Sequence, residues 1–187
     1  MERRRREVED DENEANGANV TRTNRSENEP VGVTTVFTPP PPRADMLYDV
    51  VDDPASHTAP ELRAAYGRAL ADVVDAHGVE RVAADSGVDE DRLRALVAGD
   101  DVELTVEEAT ADLAVDADID AETMALVLQD RLLMGMTTGV LDVDTLAAET
   151  GLDVSGQEVQ QSLEGRRATT LDELAAIHRV IAARNDR

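Results

Sequence analysis

Residues 79–113 read VERVAADSGVDEDRLRALVAGDDVELTVEEATADL, and residues 143–178 read VDTLAAETGLDVSGQEVQQSLEGRRATTLDELAAIH. Each stretch divides twice at glycine, at Gly87 and Gly99 in the first and at Gly151 and Gly165 in the second. A glycine just past an apolar-periodic run is a helix C-terminal signal, because the left-handed conformation that ends a helix costs glycine little. Each stretch then closes on a third run opened by threonine. Thr105 with Glu108, and Thr170 with Glu173, have the spacing of a capping box, in which a hydroxyl and a carboxylate satisfy free amides at a helix start. The pattern predicts a set of three short helices that occurs twice.

The first set has the spacing of a helix-turn-helix unit: Ala83, three residues, Gly87, five residues, Leu93, two residues, Leu96. Small Ala83 lets two helices cross closely, Gly87 turns the chain, and Leu93 and Leu96 hold the second helix against the first. The unit resembles the phage-repressor type of helix-turn-helix domain, in which a further helix, here opened by Thr105 or Thr170, packs across the pair. The second copy departs from this spacing. Two extra residues lie between Gly151 and Gly165, so Val159 and Leu163 take the places of Leu93 and Val97, and its turn is expected to be longer. The stretch Met46–Pro54 (MLYDVVDDP) and the run LLMGMTTGVLDVD also look like an uncharacterised haloarchaeal family of unknown function, from which no activity carries over.

Working outward, Thr58 and Glu61 make another capping box. Behind it Leu62, Ala65, Tyr66, Ala69, Leu70, Val73, Val74 and His77 share one helical stripe that Gly78 ends. Between the two sets, Asp120–Thr138 carries Met124, Val127, Leu128, Leu132, Leu133 and Met136, with apolar residues also at 125 and 126. A helix apolar on most sides is expected at the centre of the fold. Met134–Gly139 admits two readings, an adaptable methionine surface for a partner or the fraying end of a core helix, and the second is preferred. Residues 1–45 have no periodic apolar set and end in Pro39–Pro42, so they are predicted to be a disordered tail with a short polyproline-II piece. Met46 directly follows and is a candidate start. The expected architecture is all-α, with a tail (1–45) and a helical domain (46–187). That domain comprises a first helix-turn-helix-like unit (46–115), a central helix (116–140) and a second unit (141–187).

Composition narrows the function. The 187 residues hold 41 acids against 18 basic groups, every one an arginine, for a net charge of -23. Such a chain does not hold nucleic acid through a basic surface. With no cysteine, disulfides and thiol chemistry are excluded. No apolar run approaches the ~20 residues of a membrane span, and the charged start lacks the apolar core of a signal peptide, so a cytoplasmic protein is expected. Acid excess, arginine in place of lysine and an aromatic content of 2% resemble the composition of proteins from salt-accumulating haloarchaea.

No motif calls for catalysis, a cofactor or a metal. Asp116, Asp118 and Asp120 have the spacing that opens a calcium loop, but Ala121 stands where its turn needs glycine and Val127 where it needs a bidentate glutamate. They read as a linker with Asp120 as an N-cap. His57, His77 and His178 are scattered, and His178 lies on an apolar stripe that predicts a packed, hydrogen-bonded ring. What is left is a non-enzymatic binding module. In a DNA reader the second helix of the unit meets base edges. The first copy offers Asp89, Glu90, Asp91, Arg92 and Arg94 there, and phosphates repel its three successive acids. The second offers Gln157, Gln160 and Gln161 for bases, with Arg166 and Arg167 for bases or phosphates. A DNA-binding regulator using the second copy, as a homodimer on a palindromic site, is therefore the leading expectation. The rival is a protein-interaction or structural module whose scaffold makes no DNA contact.

The charge itself generates a prediction. Self-repulsion among the acids is unscreened in dilute buffer, whereas at 1 M salt the Debye length is about 3 Å. Helix content measured by circular dichroism is expected to rise as potassium chloride goes from about 0.1 M to 2 M. Full folding at the low end would contradict the halophilic reading.

Overall fold

The computed structural model describes residues 46–187, so the predicted disordered tail lies outside the described residues. Two 3-10 turns, Leu47–Asp49 and Pro54–Ser56, lead into eight α-helices. These are α1 (Ala59–His77), α2 (Val79–Ser86), α3 (Glu90–Val97), α4 (Val106–Leu113), α5 (Ala121–Thr138), α6 (Val143–Thr150), α7 (Gly156–Leu163) and α8 (Leu171–Asn185). Among the described residues the only extended pairing is a single antiparallel bridge between Thr105 and Thr170.

Local chemistry sets the helix ends. Capping boxes form at Thr58/Glu61, Thr105/Glu108, Ser155/Glu158 and Thr170/Glu173. Asp120 caps α5 by accepting from the Thr123 amide, as the sequence implied. Gly87 (φ 77°) and Gly151 (φ 73°) are left-handed C-caps of α2 and α6, where a side chain would be strained. Val82, Leu93 and Leu96 are buried in the first set, and Leu146, Val159 and Leu163 in the second.

The repeat is longer than the sequence pattern indicates. α1 packs on α3, α4 and α8, while α5 packs on α7, α8 and α4. Exchanging α1–α4 for α5–α8 maps each of these contacts onto another, although α1 also packs on α2 without a comparable α5–α6 contact, so α5 is the nearest counterpart of α1. Helix α4 meets α8 at the Thr105–Thr170 bridge. There the Val106 amide donates to Thr169 O at 2.8 Å and the Leu171 amide donates to Leu104 O at 2.9 Å.

The α5 helix also differs from the wrapped central helix its composition implied. It buries one stripe, Met124, Leu128, Leu132, Gly135 and Met136, and leaves Leu126, Leu133 and Met134 exposed. Its end does not fray at Met134, because the helix continues to Thr138 and is fixed by close contact with α8. A Cβ placed on Gly135 would stand 2.5 Å from Ile181 Cγ2, so glycine is what permits this approach.

Two buried titratable groups sit in this frame. His178 accepts or donates a 2.7 Å hydrogen bond with the Tyr66 hydroxyl and stacks on Tyr48 with ring centroids 4.3 Å apart, matching the expected packed histidine. Burial lowers its pKa to about 4. Asp112 on α4 is 1% exposed, and its carboxyl oxygens have no hydrogen-bond partner among the described residues. Burial pushes its pKa up to about 7.

These shifts act on stability in opposite directions. As pH rises from about 4 to 7, unfolded chains release the Asp112 proton that the folded chain keeps, so this group lowers stability by roughly 4 kcal/mol in total. As pH falls from about 6.5 to 4, unfolded chains bind a proton that buried His178 refuses, so this group lowers stability by roughly 3 kcal/mol. Asp112→Asn leaves only the His178 effect of the pair. Urea unfolding across a pH series is expected to show a stability gain over wild type that is under about 1 kcal/mol at pH 4 and reaches roughly 4 kcal/mol by pH 7.5. A gain independent of pH would mean that Asp112 ionises normally in the fold.

Candidate functional site

The candidate DNA-reading residues lie on or just after α7. Val159 and Leu163 turn into the core with Gly156, which places Gln157, Gln160, Gln161 and Glu164 on the other side at spacings of three, one and three. Gln157 and Gln160 are exposed and Gln161 is half-buried. The Gln160 amide donates to Glu164 Oε1 at 2.9 Å, and Arg166 pairs with the same carboxylate. The start of α7 is crowded by acid. Gly156 abuts Asp144, whose Oδ1 would stand 2.1 Å from a Cβ at that position, and Glu158 closes the capping box. A phosphate approaching this helix start would meet carboxylates.

Arg167 is engaged within the chain. Its guanidinium donates to Glu173 at 2.5 and 3.2 Å and to Ser162 Oγ at 2.8 Å. Glu173 is the carboxylate of the α8 capping box, so Arg167 ties the end of α7 to the start of α8. The first half repeats the device. Arg92 on α3 donates to both oxygens of Glu108, the α4 capping-box carboxylate, at 2.5 and 3.0 Å, and also to Glu103 O. The Arg92 guanidinium holds the Glu108 carboxyl below its usual range, against a smaller opposing effect of burial. The two arginines come from different sequence positions, one inside α3 and one beyond α7, so pattern matching does not pair them.

The acidic face of α3 stands as read. Glu90 and Asp91 are joined there by Arg94, which pairs with both and reaches Glu80 at 3.9 Å. The other histidines are engaged locally. His57 Nδ1 lies 2.9 Å from Asp53 O, and His77 Nε2 lies 2.6 Å from Asp116 Oδ1 at the C-terminus of α1. Among the described residues no group of three or more His, Cys, Asp or Glu is arranged to hold a metal ion. No helix among them is long and apolar enough to cross a membrane.

A family model described as a family of unknown function matches residues 62–184, from the first turn of α1 to the last turn of α8. The chain belongs to DUF5791. Neither a curated protein nor a solved structure matches it. The matched region of this DUF5791 chain contains both arginine latches and the exposed apolar residues of α5, Leu126, Leu133 and Met134. Reading α5 as core concealed that face. Its signal was present in Thr123, Asp130 and Thr137, polar residues seven apart along one side of the helix.

If Arg167 is structural, removing it destabilises the fold. Arg167→Ala is expected to lower stability by about 1–2 kcal/mol, the effect being moderated by partial exposure, while Arg166→Ala changes it by less than about 0.5 kcal/mol. Thermal unfolding of the two variants in molar salt separates them, and equal, negligible losses would refute the latch.

Proposed function

We propose that this DUF5791 protein is a non-enzymatic binding module on a duplicated helix-turn-helix-like scaffold, and that its ligand is a protein rather than DNA. The observation that carries this reading is the engagement of the arginines. Arg92, Arg94, Arg166 and Arg167 each contact a carboxylate of the same chain. Handing Arg167 to a phosphate would exchange one ion pair for another and leave Glu173, a capping carboxylate that is 16% exposed, without its cation. Breaking a buried or half-buried pair in this way is costly. Residues 46–187 hold 31 acids against 11 arginines, so no compensating basic surface surrounds the site.

DNA is the second reading, supported by the glutamines. Gln157 and Gln160 are exposed, uncharged side chains of α7 in an acidic protein, and glutamine pairs with adenine through two hydrogen bonds. In a haloarchaeal cytoplasm, the setting the composition favours, counterion release contributes little and such direct contacts would have to supply the affinity. A single helix offers few of them, so this reading also requires a homodimer.

Selection from a random oligonucleotide pool at about 1 M potassium chloride tests the choice. No enriched sequence is expected. An enriched sequence whose binding falls about 5- to 150-fold for each lost base contact in Gln157→Ala or Gln160→Ala would overturn the protein-binding reading in favour of DNA.

A further inference from the structure

The outer side of α5 carries an ordered pattern of its own. Thr123, Leu126, Asp130, Leu133 and Thr137 follow one another at alternating spacings of three and four, and all five are exposed. Leu126 and Leu133, seven residues apart, are 57% and 44% exposed, and Met134, 60% exposed, widens the stripe beside Leu133. Alternating steps of three and four are the contact edge of a helix pair, with the leucines as knobs and the threonines and aspartate at the intervening positions. The opposite stripe of the same helix supplies its packing to α4, α7 and α8, and among the described residues this one stays open to solvent.

Charge identifies the occupant. Asp130 stands at the middle of the stripe from Thr123 to Thr137, and no ion pair to it forms among the described residues. The neighbouring cation, Arg131, turns away to Asp49 at 3.6 Å and to the face of the Tyr48 ring at 5.8 Å. A second copy laid in register, parallel or antiparallel, would set Asp130 against Asp130, and the two chains each carry a net charge of -23. Like charges facing one another across a contact discriminate against that pairing. A helix with a leucine stripe and a basic residue at the matching position satisfies both the apolar knobs and the aspartate.

We propose that the outer face of α5, Leu126, Asp130, Leu133 and Met134, docks an amphipathic helix of a protein partner that presents an arginine or lysine to Asp130. This rests on the protein-binding reading above and names the surface and the partner chemistry for it.

Because the chain lacks cysteine, Thr138→Cys on the full-length protein gives a unique site, at the end of α5, for an environment-sensitive dye. The probes are two synthetic three-heptad helices with identical leucine positions, one carrying arginine and the other glutamate at the central polar position, titrated at about 1 M potassium chloride. The arginine peptide is expected to bind at least about tenfold tighter than the glutamate peptide. Leu133→Gln is expected to weaken both peptides by a similar factor, and Asp130→Arg to reverse the preference, with helix content unchanged by circular dichroism. Equal binding of the two peptides, no binding, or insensitivity to Leu133→Gln overturns the proposal. So does a concentration-dependent dimer in sedimentation that Leu133→Gln dissociates, because the occupant is then a second copy. The oligonucleotide selection reports separately on the underlying choice. Enriched DNA sequences would sink the protein-binding reading, whereas failure of the peptides with no enriched DNA sinks this surface alone.

Discussion

Two backbone hydrogen bonds hold the halves of the molecule in register, Val106 N–H to Thr169 O and Leu171 N–H to Leu104 O. Val106 and Leu171 are the first residues of α4 and α8, and their amides belong to the group that a helix leaves without an internal partner. Each amide is satisfied by a carbonyl just ahead of the other helix. Leu104, Thr169 and Leu171 are buried, so water is a poor substitute. A net contribution of about 0.5–1.5 kcal/mol per bond is modest, but leaving a buried amide unpaired costs about 1–3 kcal/mol. The pair therefore acts mainly as a constraint on register. Once α4 and α8 meet head to head, α1 is placed against α8 and α5 against α4, and neither half completes its core alone.

The scarcity of cations gives the arginines their meaning. Glu108 and Glu173 would be exposed acids among many, were they not also capping carboxylates joined to Arg92 and Arg167. Each latch connects the second helix of a set to the start of the third, so the angle between them is fixed by a bidentate pair as well as by Leu93, Leu96, Val159 and Leu163. In a chain with more basic groups the same arginines would read as a binding surface. Here each is paired with a capping carboxylate of its own chain, and the outward charge stays negative on α3.

What the sequence made legible was local. Thr58, Thr105, Asp120 and Thr170 announce helix starts because a cap needs only the residue and its next three neighbours, and Gly87 and Gly151 announce helix ends for the same reason. The all-helical class and the two sets of short helices follow from these signals. The residues that escaped are those whose role is set by distant partners. Asp112 looks like any other acid until the fold removes its water, and Gly135 looks like a flaw in a helix until Ile181 is brought against it. Gln157, Gln160, Arg166 and Arg167 were grouped by position, but only the structure distinguishes the exposed glutamines from the arginine committed to Glu173. The fourth helix of the repeat escaped because α1 and α5 share packing partners and not a sequence pattern.

That equivalence of α1 and α5 isolates what the fold does not explain. Both are long helices that open a half, and both bury one stripe against the same kinds of neighbour. The outward residues of α1 include Ala64, Arg68, Asp72 and Asp75, an ordinary solvated face. Those of α5 include Leu126, Leu133 and Met134. Packing therefore demands the inner stripes and leaves the outer faces open to change, and only α5 carries apolar side chains there at the spacing of a helix pair. Exposed leucine weakens solubility and adds nothing to the core, so its placement is not a consequence of folding. The proposed docking of a partner helix would cover these side chains, and Asp130 at the centre of the stripe sets the charge that such a contact has to bring.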